Sequence, residues 1–165
     1  MKYFTRDWCS GKYSDDKNRK ISPTYDEYIE SNYRLLPFSL KLLSRELSLH
    51  DGLITSVEVN KVYNNIALKS ICGDLSSGYF LLNIGYLKVE QLKVVYLEEL
   101  FNGKKVEILY DELEILGDDK YSHKLIFNKK GDLDITFRDL EIQISNVLPS
   151  RYMPMDCTFL VIEED

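Results

Sequence analysis

The sequence is poor in the residues that most often carry recognisable chemistry. Its 165 residues include three cysteines, two histidines and one tryptophan. Cys9, Cys72 and Cys157 are odd in number, widely spaced and never arranged as CxxC. Neither a disulfide framework nor a thiolate zinc site is expected from them. Free thiols in a reducing compartment follow. With only His50 and His123 available, acid–base options are few. No stretch approaches the roughly 20 apolar residues that cross a bilayer. The opening MKYFTRDW lacks the apolar centre of a signal peptide. A cytoplasmic chain without membrane contact is therefore expected. The serine elbow GxSxG, the P-loop, GxGxxG and HExxH are all missing, as are internal repeats and low-complexity tracts. No cofactor is expected.

What is present fits a folded domain. Hydrophobic residues make up 44% and charged residues 29%, close to globular norms. A chain of this length buries about 70% of the surface its unfolded form exposes, enough core to fold without staples. One domain over residues 1–165 is expected, with an N-terminal helical segment (1–48) and a β-rich body (49–165). Twelve tyrosines suit half-buried strand positions, where the ring packs and the hydroxyl reaches water. The net charge of −6 is unevenly spread: residues 1–48 balance at +2 and residues 49–165 at −8. Nucleic-acid binders present a basic field, so nucleic acid is disfavoured as a partner, while a basic protein is permitted.

Local patterns give the elements. Residues 2–8 read as extended and the polar stretch 10–22 as a loop. A first helix is expected to open at Ser22, Pro23 or Thr24, since proline suits a first turn and Thr24 with Glu27 has capping-box spacing. Tyr25, Tyr28, Ile29, Tyr33 and Leu36 then form a stripe at helical period. Pro37 interrupts it, and a second helix with Leu40, Leu43 and Leu47 on one face completes a helical hairpin or kinked pair. From Asp51 the pattern turns to β. Strands are expected near 53–59, 66–71, 79–87, 91–97, 123–128, 133–137, 140–145 and 157–162, with Gly85 as a bulge or close approach. Asn102-Gly103 is the best short hairpin signal. Residues 106–116 fit either a helix face or a strand, in two opposite phases joined by a bulge near Asp111-Glu112; strand is preferred. The fold class is thus α+β: a helical pair, then a mostly antiparallel curled sheet, sandwich or open barrel of about eight strands.

Three constellations merit weighing. His50-Asp51 places an imidazole beside a carboxylate, the raw material of a general base. Adjacent strand residues face opposite ways, however, so a structural junction is the plainer reading, with Asp51 turning the chain and His50 bonding to backbone. His123 could join His50 and Asp51 in a pocket, or the two histidines could hold a metal with Asp51 or Asp119, but nothing in the sequence brings them together and no metal is expected. Asp111, Glu112, Glu114, Asp118 and Asp119 form an acidic cluster whose spacing matches neither a calcium loop nor a known catalytic frame. It reads as a solvated face or as a docking patch for a basic partner.

The opening MKYFT, the junction LSLHDGLI and the runs ILYDELEILGDDKYSHKLIF and GDLDITFRDLEI resemble a family of bacterial proteins of unknown function, chiefly from Gram-positive species. Where family members often carry a stretch like DGKFEH, this chain has DDKYSH, which keeps His123. The resemblance implies no activity and no catalytic residues. The Leu-His-Asp junction is also similar, more loosely, to immunity-type proteins encoded beside bacterial toxins, which implies a binding role. The expected function is a non-enzymatic protein-binding module, immunity- or inhibitor-like. The alternative is a small enzyme or ligand-binding barrel using His50, Asp51 and His123.

Overall fold

The computed structural model describes residues 1–76, 78–96, 105–147 and 158–163. They form two compact units, Met1–Leu47 and Ser48–Asp165.

The first unit is helical, and it starts earlier than the sequence pattern suggests. Thr5 caps a short helix α1 (Arg6–Cys9), its hydroxyl accepting from the Trp8 amide at 3.2 Å, so residues 2–8 are not one extended piece. Helix α2 (Asp15–Asn32) begins after Ser14 and carries Asp15 and Asp16 in its first turn, where carboxylates favour the helix dipole. The expected opening at residues 22–24 is therefore wrong by two turns. Exposed early turns need no apolar stripe, and Pro23 is accommodated inside the helix. Thr24 caps nothing; its hydroxyl donates back to the Lys20 carbonyl at 2.6 Å, as threonine does within a helix.

The predicted stripe holds: Tyr25, Ile29 and Leu36 are buried. Tyr3 and Phe4 pack against Tyr25, tilted and edge-on, with ring centroids 5.3 and 5.0 Å away. A 3-10 turn (Tyr33–Leu35) ends this segment. Leu36 is extended, as the residue before a proline prefers. Pro37 then leads into α3 (Phe38–Lys41), which continues as a π turn (Leu42–Glu46). Leu40 and Leu43 are buried, while Leu47 lies beyond the helical residues in extended conformation.

The second unit is a nine-stranded sheet: β1 (Leu53–Asn60), β2 (Asn65–Asp74), β3 (Gly78–Leu87), β4 (Gln91–Val95), β5 (Val106–Gly117), β6 (Lys120–Phe127), β7 (Asp132–Phe137), β8 (Asp139–Asn146) and β9 (Thr158–Ile162). Residues 106–117 are strand, not helix. The hydrogen-bonded path is β4-β7-β6-β5-β1-β2-β3-β8. Every pair on it is antiparallel; β9 alone runs parallel, against β1. The α+β class expected from the sequence is what the chain adopts. Asn102-Gly103 lies outside the described residues.

Two short connections curl this sheet. β4 follows β3 after residues 88–90, and β8 follows β7 after Arg138 alone. The two ends of the path are therefore tied to strands on its opposite side. The curl brings inner faces together: the Tyr86 ring on β3 meets Phe137 on β7 edge-on at 5.2 Å. It stops short of a closed barrel. The inner face is mostly apolar, with Leu68, Leu82, Ile84, Ile108, Leu125 and Ile135 fully buried. Gly85 sits in regular register between Ala67 and Glu141, so it marks no bulge. Glu90, beside the first connection, is 2.6 Å from the Arg138 guanidinium and 2.7 Å from Lys120. Arg138 also donates to the Asp118 carbonyl at 2.8 Å.

The bulge in β5 decides which side chains reach that interior. Register shifts between Ile108 and Tyr110, and again between Ile115 and Gly117, rather than at Asp111-Glu112. A single extra residue inverts the alternation beyond it. Inward positions thus run Val106, Ile108, then Asp111 and Leu113. Asp118 and Asp119 close the β5–β6 hairpin with φ near +52° and +53°, the two left-handed residues of a type I′ turn.

Candidate functional site

The junction at residues 49–52 is a tight turn. The Gly52 amide donates to the Leu49 carbonyl at 2.9 Å, and Asp51 takes φ +60°, a conformation aspartate tolerates better than most residues. Exchanges with β5 anchor the turn, Asp51 N–H to Ile108 C=O at 2.8 Å and Ile108 N–H to Gly52 C=O at 2.9 Å. Glycine at 52 has a steric cause: a Cβ there would lie 2.8 Å from the Leu49 carbonyl oxygen and 2.9 Å from Cys72 Sγ. His50 is exposed, and its Nδ1 donates to the Leu109 carbonyl at 2.5 Å. Since a carbonyl only accepts, Nδ1 carries a hydrogen. Nε2 is left 3.6 Å from Asp51 Oδ2, and the ring lies 5.0 Å from that of Tyr110. His50 reaches the carbonyl of the bulge residue and helps hold it.

His123 occupies a different world. It is 0% exposed, inward-facing on β6, opposite Leu113 on β5 and Ile135 on β7. Asp111, one diagonal step away, places Oδ2 3.1 Å from Nε2. Tyr86, from β3 across the curl, places its hydroxyl 2.7 Å from Nδ1. The three groups satisfy one another: Nε2–H donates to the carboxylate, which only accepts, and Nδ1 and the phenol hydroxyl bond each other. Burial, and secondarily the Asp111 charge, pushes the Tyr86 phenol well above its usual range. It stays neutral. Nearby, burial raises the Cys72 thiol, a bond with Ser70 opposes it and the Asp111 charge adds to it. Tyr86 is likewise 0% exposed. A Tyr-His-Asp chain, with its tyrosine and histidine buried and its aspartate 23% exposed, ties β3 to β5 and β6.

The five carboxylates of the acidic cluster divide three ways. Asp111 turns inward to His123. Glu112 and Glu114 lie on the opposite face with Lys124, whose ammonium bonds the Glu114 carboxylate. Along that face the register sets Lys93, Asp134, Lys124 and Glu112 side by side on β4, β7, β6 and β5, a row of alternating sign. Burial pulls the Lys124 ammonium down, but the Glu114 bond and the charges of Glu114, Asp134 and Glu112 outweigh it and leave it raised. Asp118 and Asp119 are exposed on the hairpin turn.

His50 and His123 are thus not brought together; Asp111 joins His123, and Asp51 flanks His50. Tyr86 is the partner that sequence reasoning missed. It lies 37 residues from His123, and only the curl relates them. Among the described residues, no three His, Cys, Asp or Glu side chains converge as a metal site. An open cleft of about 270 Å³ is lined by residues including Asn60, Lys61, Asn65, Glu90 and Gln91. Neither histidine lines it. Among the described residues, no helix is long and apolar enough to cross a membrane. Compared with known protein families, curated proteins and solved structures, the chain gives no match.

Proposed function

We propose that the chain is a non-catalytic protein-binding module, immunity- or inhibitor-like, that docks a basic partner through the acidic surface of its β unit. The observation that carries this reading is where unused negative charge remains. Residues 49–165 balance at −8. Asp118, Asp119, Asp139 and Glu141 are exposed and make no ion pair among the described residues. Surface carboxylates of this kind steer oppositely charged partners and set the salt dependence of association. The catalytic alternative draws less support, because His123 is sealed in the core while His50 and Asp51 sit on a turn away from the cleft.

The test replaces all four carboxylates with their amides and compares capture of basic proteins at low and moderate salt. The wild-type chain is expected to retain a partner at low salt and the neutralised chain to lose it about tenfold or more. Identical capture by both chains, or none by either, removes the basis of the proposal.

A further inference from the structure

We infer that the edge of β8, unpaired among the described residues, is a docking site for an extended basic segment of a partner, which adds to the sheet as a further strand. This rests on the binding-module reading and names the surface and partner class it lacks. β8 ends the hydrogen-bonded path and pairs with β3 over eight residues without a register shift. The Val147 amide donates to the Tyr79 carbonyl at 3.3 Å, extending the same register. In an antiparallel ladder only alternate residues bond a given neighbour. The residues at 141, 143 and 145 therefore face β3, and the amides and carbonyls of Ile142, Ile144 and Asn146 face outward. The Leu140 amide agrees, since it is met by the Asp139 side chain at 2.9 Å rather than by β3.

Folded proteins blunt such edges with lysine, proline, bulges or a covering element. β8 contains no lysine, no proline and no bulge. Its inner-face side chains end in Ile144, which is 50% exposed. Its outer face presents Glu141, Gln143 and Ser145, with Asp139 at its start, all exposed. Charge complementarity decides the occupant. A strand alternating apolar with basic residues would set its apolar side beside Ile142 and Ile144 and its cations beside Asp139 and Glu141. A second copy would bring the same carboxylates and another net charge of −6. Main-chain bonds would supply affinity, and the alternation specificity.

The test uses the full chain, amide hydrogen exchange read by NMR, and a capped peptide of alternating lysine and valine as probe. In the free protein the amides of Ile142, Ile144 and Asn146 should exchange fast and those of Glu141, Gln143 and Ser145 slowly. The probe should slow the first set by about tenfold or more. Ile144→Pro should abolish that protection without loss of fold, because the amide it removes takes no part in the ladder with β3. Glu141→Lys, which leaves the backbone unaltered, should weaken this probe and favour one of alternating glutamate and valine. Probe binding that persists in Ile144→Pro, with the amides of Ile142 and Asn146 unprotected, overturns the inference and leaves the module reading standing. No binding by either wild type or variant, at any salt concentration, counts against both. Protection that grows with protein concentration alone, with a dimer by light scattering, overturns it in favour of self-pairing.

Discussion

The turn around His50 and the interior around His123 hold the same ingredients, an imidazole beside a carboxylate, and use them in opposite ways. At the turn the ring is solvated and bonds a single backbone carbonyl, while Asp51 contributes its backbone conformation more than its charge. In the interior every polar atom of the ring has a partner, and removing the ring strands the Tyr86 hydroxyl away from water. The difference teaches that cost follows desolvation rather than chemical type: a bond replaceable by water is worth little, and one that is not becomes structural.

The strongest way to break this comparison is His123→Ala. It leaves the buried Tyr86 hydroxyl without its partner and a void where the ring packed, and should cost about 3 kcal/mol, read as a fall in the denaturation midpoint. A loss below about 1 kcal/mol would mean that water reaches the chain. Gly52→Ala comes next, at roughly 2 kcal/mol, because the Leu49 carbonyl that a Cβ would strike is backbone and cannot swing aside. His50→Ala should cost about 1 kcal/mol or less, since solvent can meet the Leu109 carbonyl; a loss matching that of His123→Ala would erase the distinction.

The smallest effect concerns Glu90. The Lys120 bond first, and that of Arg138 after an opposing burial effect, hold its carboxyl below the ordinary value of 4.5. A depressed folded-state pKa means stability that is full above the unfolded value and lost as pH falls through the folded one. Acid melting curves of Glu90→Gln should therefore run flatter than wild type below about pH 4.5 and differ least in strong acid.

Much of the architecture was legible because it follows local rules. The tyrosine stripe of α2, the break at Pro37 and the β patterning all reflect burial periodicity that neighbouring residues share. The start of α2 was not legible, because its first two turns are largely exposed and carry acidic residues rather than apolar spacing. Within β5 the two-phase alternation announced a bulge but not its place. Placed at Asp111-Glu112, a bulge would turn Asp111 outward; placed at Leu109, it turns Asp111 toward His123. One residue of phase thus separates an acid turned to solvent from one that bonds a buried histidine. Tyr86 was out of reach for a further reason: its meeting with His123 depends on the two short connections that curl the sheet.

The parallel pairing of β9 on β1 also bears on how the chain matures. Leu53 and Ile54 take β5 as neighbour, but the rest of that edge, from Ser56 to Asn60, takes β9. The Lys61 amide bonds the Ile162 carbonyl at 2.9 Å, across some hundred residues of chain. Contacts so distant form slowly, and during synthesis the outer edge of β1 must wait, unpaired, while the strands between are made. That interval is when the nascent chain is most open to wrong partners. The unit's most central strand is therefore among the last to be completed.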